Sequence, residues 1–453
     1  NGMYKDWWGE NFGYNCRLAS LAVAGDDMIV GDITKTRVLL NDQMSAAIDS
    51  PDVSTLWKWF YKAIFSANNI IALIEANDKL DHTVTDKYLG EARFIRALMY
   101  FYVVRLWGDA PAITDPQSTA DIDGDESIPR KSVKDIYERI IVPDAIAASE
   151  LLEGTGRTVQ APTSWAAKTL LADVYLNMAG WPMNETGYYA EAAAVAKDVV
   201  ENSPHSLMPE YRQLWQIGNV NNTTEHIFAL HHSLTYLPSQ YGISYLGYEE
   251  GGWSDYAADP VFFESFPDDT RKEFCFVTST EDKTTGETVQ WEDFDAGAPY
   301  IRKYRGFGGC GQYGIEGNTA AASQLSEGLT PIYRYADALL FYAEAVTKAT
   351  GNPDDLAREC LRKVRARAMG DPDYVLPQMS ADEFEDAVFD EFGWENVFEF
   401  KRWFQLVRTD RVDEMVSKNP DIGARVNANR QNYLFPLPVR QVELRKWQNN
   451  PGY

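Results

Sequence analysis

Residues Tyr88-Leu-Gly-Glu-Ala-Arg-Phe-Ile-Arg-Ala-Leu-Met-Tyr-Phe-Tyr-Val-Val-Arg-Leu-Trp-Gly-Asp-Ala-Pro-Ala-Ile113 decide how this chain folds. Leu89, Ala92, Ile95, Met99, Tyr102 and Leu106 recur at steps of three and four, which puts them on one face of a helix. Phe94, Leu98, Phe101 and Val103 make most of the remaining surface apolar too. A helix apolar on most sides is surrounded by other helices, and Gly108 and Pro111 end this one. Its charges, Glu91, Arg93, Arg96 and Arg105, must then be paired, because an unpaired buried charge costs several kcal/mol. They read as a structural network of ion pairs and caps.

Outward from this hub the helical period continues. Leu56, Trp59, Phe60, Ala63, Ile64, Ala67, Ile70, Ile71 and Ile74 predict a helix over Ser54–Asn77 that forms an antiparallel hairpin with the hub. Ser132-Val-Lys-Asp135 caps a helix running to about Glu153, with a kink expected at Pro143. Leu170, Leu171, Val174 and Tyr175, followed by Ala192, Ala196, Val199 and Pro204, match the spacing of a tetratricopeptide helix pair. A second degenerate copy is Tyr335, Leu339 and Tyr342 followed by Ala357, Leu361 and Val364. Together these predict a mostly α fold: tetratricopeptide-like pairs in an irregular superhelix, with a loop-rich second lobe. The expected divisions are a helical part over 1–204, an irregular lobe over 205–330, and a return to the scaffold over 331–453.

The irregular lobe is the functional candidate. Helical periodicity stops, Gly and Pro are frequent, and short strand-like runs occur at Ile227–Leu230, Phe274–Val277 and Tyr300–Tyr304. From Tyr236 to Tyr313, 17 of 78 residues are aromatic (22%), against 13% over the chain, so rings concentrate where binding residues tend to sit.

Acidic residues exceed basic ones by 25, which argues against nucleic acid as a partner. No run of about 18 apolar residues is present to span a membrane. Cys16, Cys275, Cys310 and Cys360 are too scattered for a zinc pattern and read as small buried hydrophobes, with a Cys275–Cys310 bridge as the alternative. Asp26-Asp27 reads as a cap or solvated pair rather than metal ligands. Asp121-Ile-Asp-Gly-Asp125 misses the calcium-loop template, its glycine standing fourth and Ser132 twelfth. Gly306-Phe-Gly-Gly-Cys-Gly311 lacks the helix a dinucleotide site needs, and His226, His231 and His232 lack metal-ligand spacing. No cofactor is expected.

Six stretches in register resemble the SusD/RagB family, the surface glycan-binding lipoproteins of Bacteroidetes nutrient-uptake systems. They are Trp57–Ile71; Gly90–Ala97 with Trp107-Gly-Asp-Ala-Pro111; Phe262–Arg271; Arg334–Ala345; Arg402-Trp-Phe-Gln-Leu406; and Phe435-Pro-Leu-Pro with Asn450-Pro-Gly-Tyr. The chain departs from the pattern at Trp394-Glu-Asn-Val-Phe, where a basic lead-in is usual. The resemblance implies four tetratricopeptide-like pairs and no enzyme activity. It also implies a partner, the SusC-like TonB-dependent outer-membrane transporter, over which the protein sits as a lid. Outer-membrane, cell-surface anchoring would come from an N-terminal lipid upstream of Asn1, since Cys16 has no signal core before it. Glycan contacts in the family lie in variable loops, so the motifs carry over no binding residue.

Site residues therefore rest on chemistry. Rigid aromatic faces stack on the C–H faces of sugars, and short polar groups bond the hydroxyls. Tyr245, Tyr248, Trp253 and Tyr256 flank Glu249-Glu-Gly-Gly252, and Trp291 and Tyr313 are the next candidates, with Asp255 and Asp295 as hydroxyl acceptors. Core packing is the ordinary alternative for each ring. The rival functions are a helical glycoside hydrolase and a tetratricopeptide scaffold that binds peptides.

Overall fold

The computed structural model describes residues 2–8, 13–77, 79–116, 126–154, 156–221, 224–235, 238–239, 242–307, 326–419 and 433–453, without the side chains of 13–16. The Asp121–Asp125 loop, Cys310, Tyr313 and most of the Gly306–Gly311 stretch lie outside the described residues.

The hub helix spans His82–Trp107, its first turn capped by Asp81, whose carboxylate accepts from the Thr83 amide. Gly108 ends it at φ 72°, in the left-handed region that favours glycine. Phe94, Ile95, Leu98, Met99, Phe101, Val103 and Leu106 are all fully enclosed, so the helix is buried on every side over its second half. Its charges are paired as expected. Arg96 holds Asp144 through Nε at 2.6 Å and Nη2 at 2.9 Å, Arg93 holds the same Asp144 at 2.8 Å, and Arg157 holds Glu91 at 2.9 Å.

Around the hub the helices stack in sequence: Pro51–Glu75 against His82–Trp107, then Val142–Leu151, Ser164–Ala179, Tyr188–Asn202 and Tyr335–Thr350. Asp355–Met369 and Ala381–Glu395 then cover the last of these. Ala192, Ala196 and Val199 are buried at the tetratricopeptide contact, where small side chains let two helices approach closely. The expected kink at Pro143 takes another form. A wide π-turn over Tyr137–Ile141 precedes Val142–Leu151 and absorbs the hydrogen bond that proline cannot donate.

The lobe between the last two pairs carries short antiparallel ladders: His226–Leu230 with Thr330–Arg334, Phe276–Val277 with Tyr300–Ile301, and Ser279–Glu281 with Thr288–Gln290. Met28–Val30, far upstream, pairs with Tyr256–Ala258. Cys275 and Cys360 are free buried thiols, which burial pushes up to about 12.

A buried charge network fastens the lobe to the helices. Arg271, from the lobe, meets Glu391 at 2.8 Å and Glu395 at 3.0 Å on the helix Ala381–Glu395. Arg334 and Arg367 each reach Glu395 at 2.6 Å, and each reaches Glu225 at 2.9 Å. Lys303 adds Glu399 at 2.8 Å. Asp26 is held by Arg402 at 2.6 Å, and Asp27 accepts from the Phe398 amide at 2.9 Å, so both act as structural anchors.

Candidate functional site: a cleft between an N-terminal loop and the irregular lobe

Two segments distant in sequence build this site. The strand Met28–Val30 runs against Tyr256–Ala258, and the Gly31 amide continues the ladder to the Asp255 carbonyl at 3.1 Å. A Cβ at Gly31 would lie 2.6 Å from the Ser254 carbonyl oxygen, so the close approach requires glycine there. Asp32 then turns the chain, accepting from the Thr34 amide at 2.8 Å and the Thr34 hydroxyl at 2.7 Å. Lys35 crosses back to the Trp253 carbonyl and the Asp255 carboxylate.

The opposite wall is the loop from the turn Ile243–Tyr245 back to Asp255. Its ends are tied: the Trp253 amide donates to the Ile243 carbonyl at 2.9 Å, and the Asp255 amide to the Ser244 carbonyl at 3.0 Å. Glu249 and Glu250 point inward. Glu250 takes both Arg305 Nη atoms, at 2.7 and 2.8 Å, while Glu249 accepts from the Tyr300 hydroxyl and the Asp295 amide, each at 2.6 Å. With the glutamates anchored below, Tyr248 (43% exposed) and Trp253 (37% exposed) stand outward.

The resulting cleft has a volume of about 610 Å³ and is lined by Asp32, Ile33, Gln43, Tyr248, Asp295 and Gly297, among others. Ile33, 72% exposed, adds an apolar surface beside the rings. The Tyr248 hydroxyl donates to Asp32. That bond raises Tyr248 to about 12 and pulls Asp32 below the ordinary carboxylate range, with help from Thr34. The phenol therefore keeps its proton at neutral pH, and its ring is held in one orientation. Asp295 is raised, first by desolvation and then by Glu249, Asp282 and Asp32. Asp42 and Asp259 also line the cleft, so its field is negative.

The sequence candidates divide accordingly. Tyr248 and Asp295 meet in the cleft; Trp253 does not line it but is exposed on the same loop, where Lys35 holds its carbonyl. Asp255 is half-buried and engaged by Lys35 rather than open to a ligand. Tyr245 and Tyr256 are corrections to the expected platform: both are buried, with ring centroids 5.5 Å apart and Tyr245 also 5.6 Å from Tyr304. The strand bearing Tyr256 is covered on both faces, so strand alternation exposes nothing there. Trp291 is half-buried, packs on Phe263 at 5.8 Å and does not line the cleft. Asp32, Ile33, Lys35 and Gln43 were not among the sequence candidates. The signal available for them was the turn-forming Gly31-Asp32-Ile-Thr34.

Comparison with known proteins places the chain in a recognisable group. Residues 245–453 match the family model described as the SusD family, and residues 19–176 match one described as starch-binding associating with outer membrane. A SusD-like protein of Formosa agariphila is 28% identical over 100% of this chain and 91% of its own length. A SusD superfamily crystal structure from Parabacteroides distasonis superposes with TM-score 0.82 at 26% identity, covering 96% of this chain and 93% of that one. A structure titled laminarin binding SusD-like protein superposes with TM-score 0.78 at 22% identity, covering 100% and 97%, and shares the fold.

Proposed function

The chain belongs to the SusD family, and on that premise we propose that it captures oligo- or polysaccharide at the cell surface for delivery to a SusC-like TonB-dependent transporter. Lipid anchoring to the outer membrane is part of this reading. Among the described residues no helix is long and apolar enough to cross a membrane. The observation that carries the reading is the outward ring of Tyr248 in a cleft lined with carboxylate acceptors, with a second exposed ring, Trp253, on the same loop.

A sugar stacks its C–H face on a ring whose orientation is already fixed, so little side-chain entropy is lost on binding. Asp32 and Asp295 accept from hydroxyls. The negative lining favours an uncharged sugar at this cleft and opposes an anionic one. A laminarin-binding SusD-like protein shares this fold, which supports carbohydrate as the ligand class. The function proposed is binding without hydrolysis. Incubation with a polysaccharide panel tests it: retardation in affinity gels with no new reducing ends is expected, and release of reducing ends would overturn it.

A further inference from the structure

A second cavity of about 580 Å³ opens elsewhere on the lobe, between the turn Tyr211–Trp215, the helix Thr270–Cys275 and the end of the helix Asp355–Met369. None of its lining residues is shared with the cleft. Arg302, Arg212, Arg367, Tyr211 and Phe274 form its distinctive surface.

Arg302 is half-buried, yet among the described residues it makes no ion pair. Its side-chain hydrogen bond is a single contact at 3.1 Å from Nη1 to the Glu273 carbonyl. Arg305 is its cationic neighbour and is itself neutralised by Glu250. Arg367 is paired inward with Glu225 and Glu395, while its buried Nε has no hydrogen-bond partner. Arg212 is paired with Glu210 at 2.8 Å, both exposed or half-exposed at the rim. Glu273, exposed at the rim, forms no direct ion pair with Arg302, although its carboxylate partly offsets the guanidinium charge.

Arg302 is partly desolvated and its charge is only partly offset by the Glu273 carboxylate, with no direct ion pair, so an anion entering the cavity would be favoured there. A guanidinium presents a planar fork that matches carboxylate or sulfate oxygens in pairs. The Phe274 ring, set edge-on to Tyr211 at 6.1 Å, supplies an apolar wall. The volume suits a small ligand site.

We propose that this cavity is a second glycan-contact site that holds the anionic substituent of an acidic sugar, with Arg302 as its anchor. The inference rests on the carbohydrate-binding reading and extends it. The negative cleft takes uncharged units, and the cavity at Arg302 takes a carboxylate or a sulfate ester of the same class of glycan.

The test is calorimetric titration of the full chain with three probes: a neutral β-glucan oligosaccharide, oligogalacturonate, and a sulfated galactan oligosaccharide. At least one acidic probe is expected to bind, with R302Q weakening it roughly ten- to hundred-fold and R302K weakening it less. The neutral probe is expected to bind R302Q as it binds the unmodified chain, which also reports that the variant is folded. Which acidic probe responds tells carboxylate from sulfate. Failure of both acidic probes to bind, or binding that R302Q leaves unchanged, overturns the inference. The double variant Y248A/W253A separates the two readings: loss of neutral-probe binding there, with acidic binding indifferent to R302Q, leaves the cleft standing and removes the cavity.

Discussion

Replacing Glu395 with Gln removes one carboxylate from the network that joins lobe to scaffold and leaves the shape unchanged. Three charge-assisted contacts are lost or weakened: Arg334 and Arg367 at 2.6 Å and Arg271 at 3.0 Å. Burial alone would raise Glu395, but Arg367, Arg334 and Arg271 together hold it well below the ordinary glutamate range, so it is ionised in the folded chain. Breaking one partner out of a buried charge group typically costs about 3–5 kcal/mol. Here each guanidinium keeps another carboxylate: Glu225 and Glu399 for Arg334, Glu225 for Arg367, and Asp269 and Glu391 for Arg271. The Glu395 carbonyl also still accepts from Tyr211 at 2.9 Å and Arg334 at 3.0 Å. The expected loss is therefore at the lower end, about 3 kcal/mol at neutral pH. Urea unfolding followed by tryptophan fluorescence measures it. A loss below about 1 kcal/mol, the range of a surface pair, would refute the view that this network fastens the lobe.

Three further outcomes follow from particular residues. Burial raises Asp27 from 3.8 to about 7, so between those values only the folded chain keeps the proton; stability from this group falls as pH rises across the window and its penalty is complete above about 7. D27N, which retains an acceptor for the Phe398 amide, is expected to be relatively more stable at pH 8 by up to about 4 kcal/mol, and unfolding midpoints that change with pH in parallel for both proteins would contradict this. G247A would place a Cβ 1.9 Å from the Tyr300 ring and disturb the Tyr300–Glu249–Asp295 chain behind the cleft. A stability loss of about 1–3 kcal/mol from overpacking, read as a lowered melting temperature, and weaker glycan retardation are expected; an unchanged melting temperature would mean the ring moves without cost. K35A removes the clamp on the Trp253 carbonyl and Asp255. Faster amide exchange in residues 31–35 and 253–255 is expected, and unchanged exchange would show that the clamp is dispensable.

The helical body was legible because burial on one face imposes a 3.6-residue period that a single sequence displays, as Leu89 to Leu106 does. The charges on the hub were also readable, since a helix buried all round must pair Arg93 and Arg96. The cleft was only half legible. Tyr248 and Trp253 announced themselves as rings in a glycine-bearing loop, but nothing local distinguishes them from Tyr245 and Tyr256, which the turn before it and the strand after it bury. The partner wall was hidden for a different reason. Met28–Val30 pairs with Tyr256–Ala258 across more than 220 residues, and a three-residue strand has too few positions to show alternation. The lock at Glu395 was equally silent, because nothing in the sequence says that Arg271, Arg334 and Arg367 converge.

The central claim, that the outward rings of the loop carrying Tyr248 and Trp253 hold an uncharged sugar, is tested most directly by affinity electrophoresis of Y248A/W253A against a polysaccharide that retards the unmodified chain. Both side chains are over one-third exposed, so their removal leaves the core intact. Stacking on two rings at about 1 kcal/mol or more each predicts at least a roughly ten-fold loss of affinity with an unchanged melting temperature. Retardation equal to that of the unmodified chain would contradict the account.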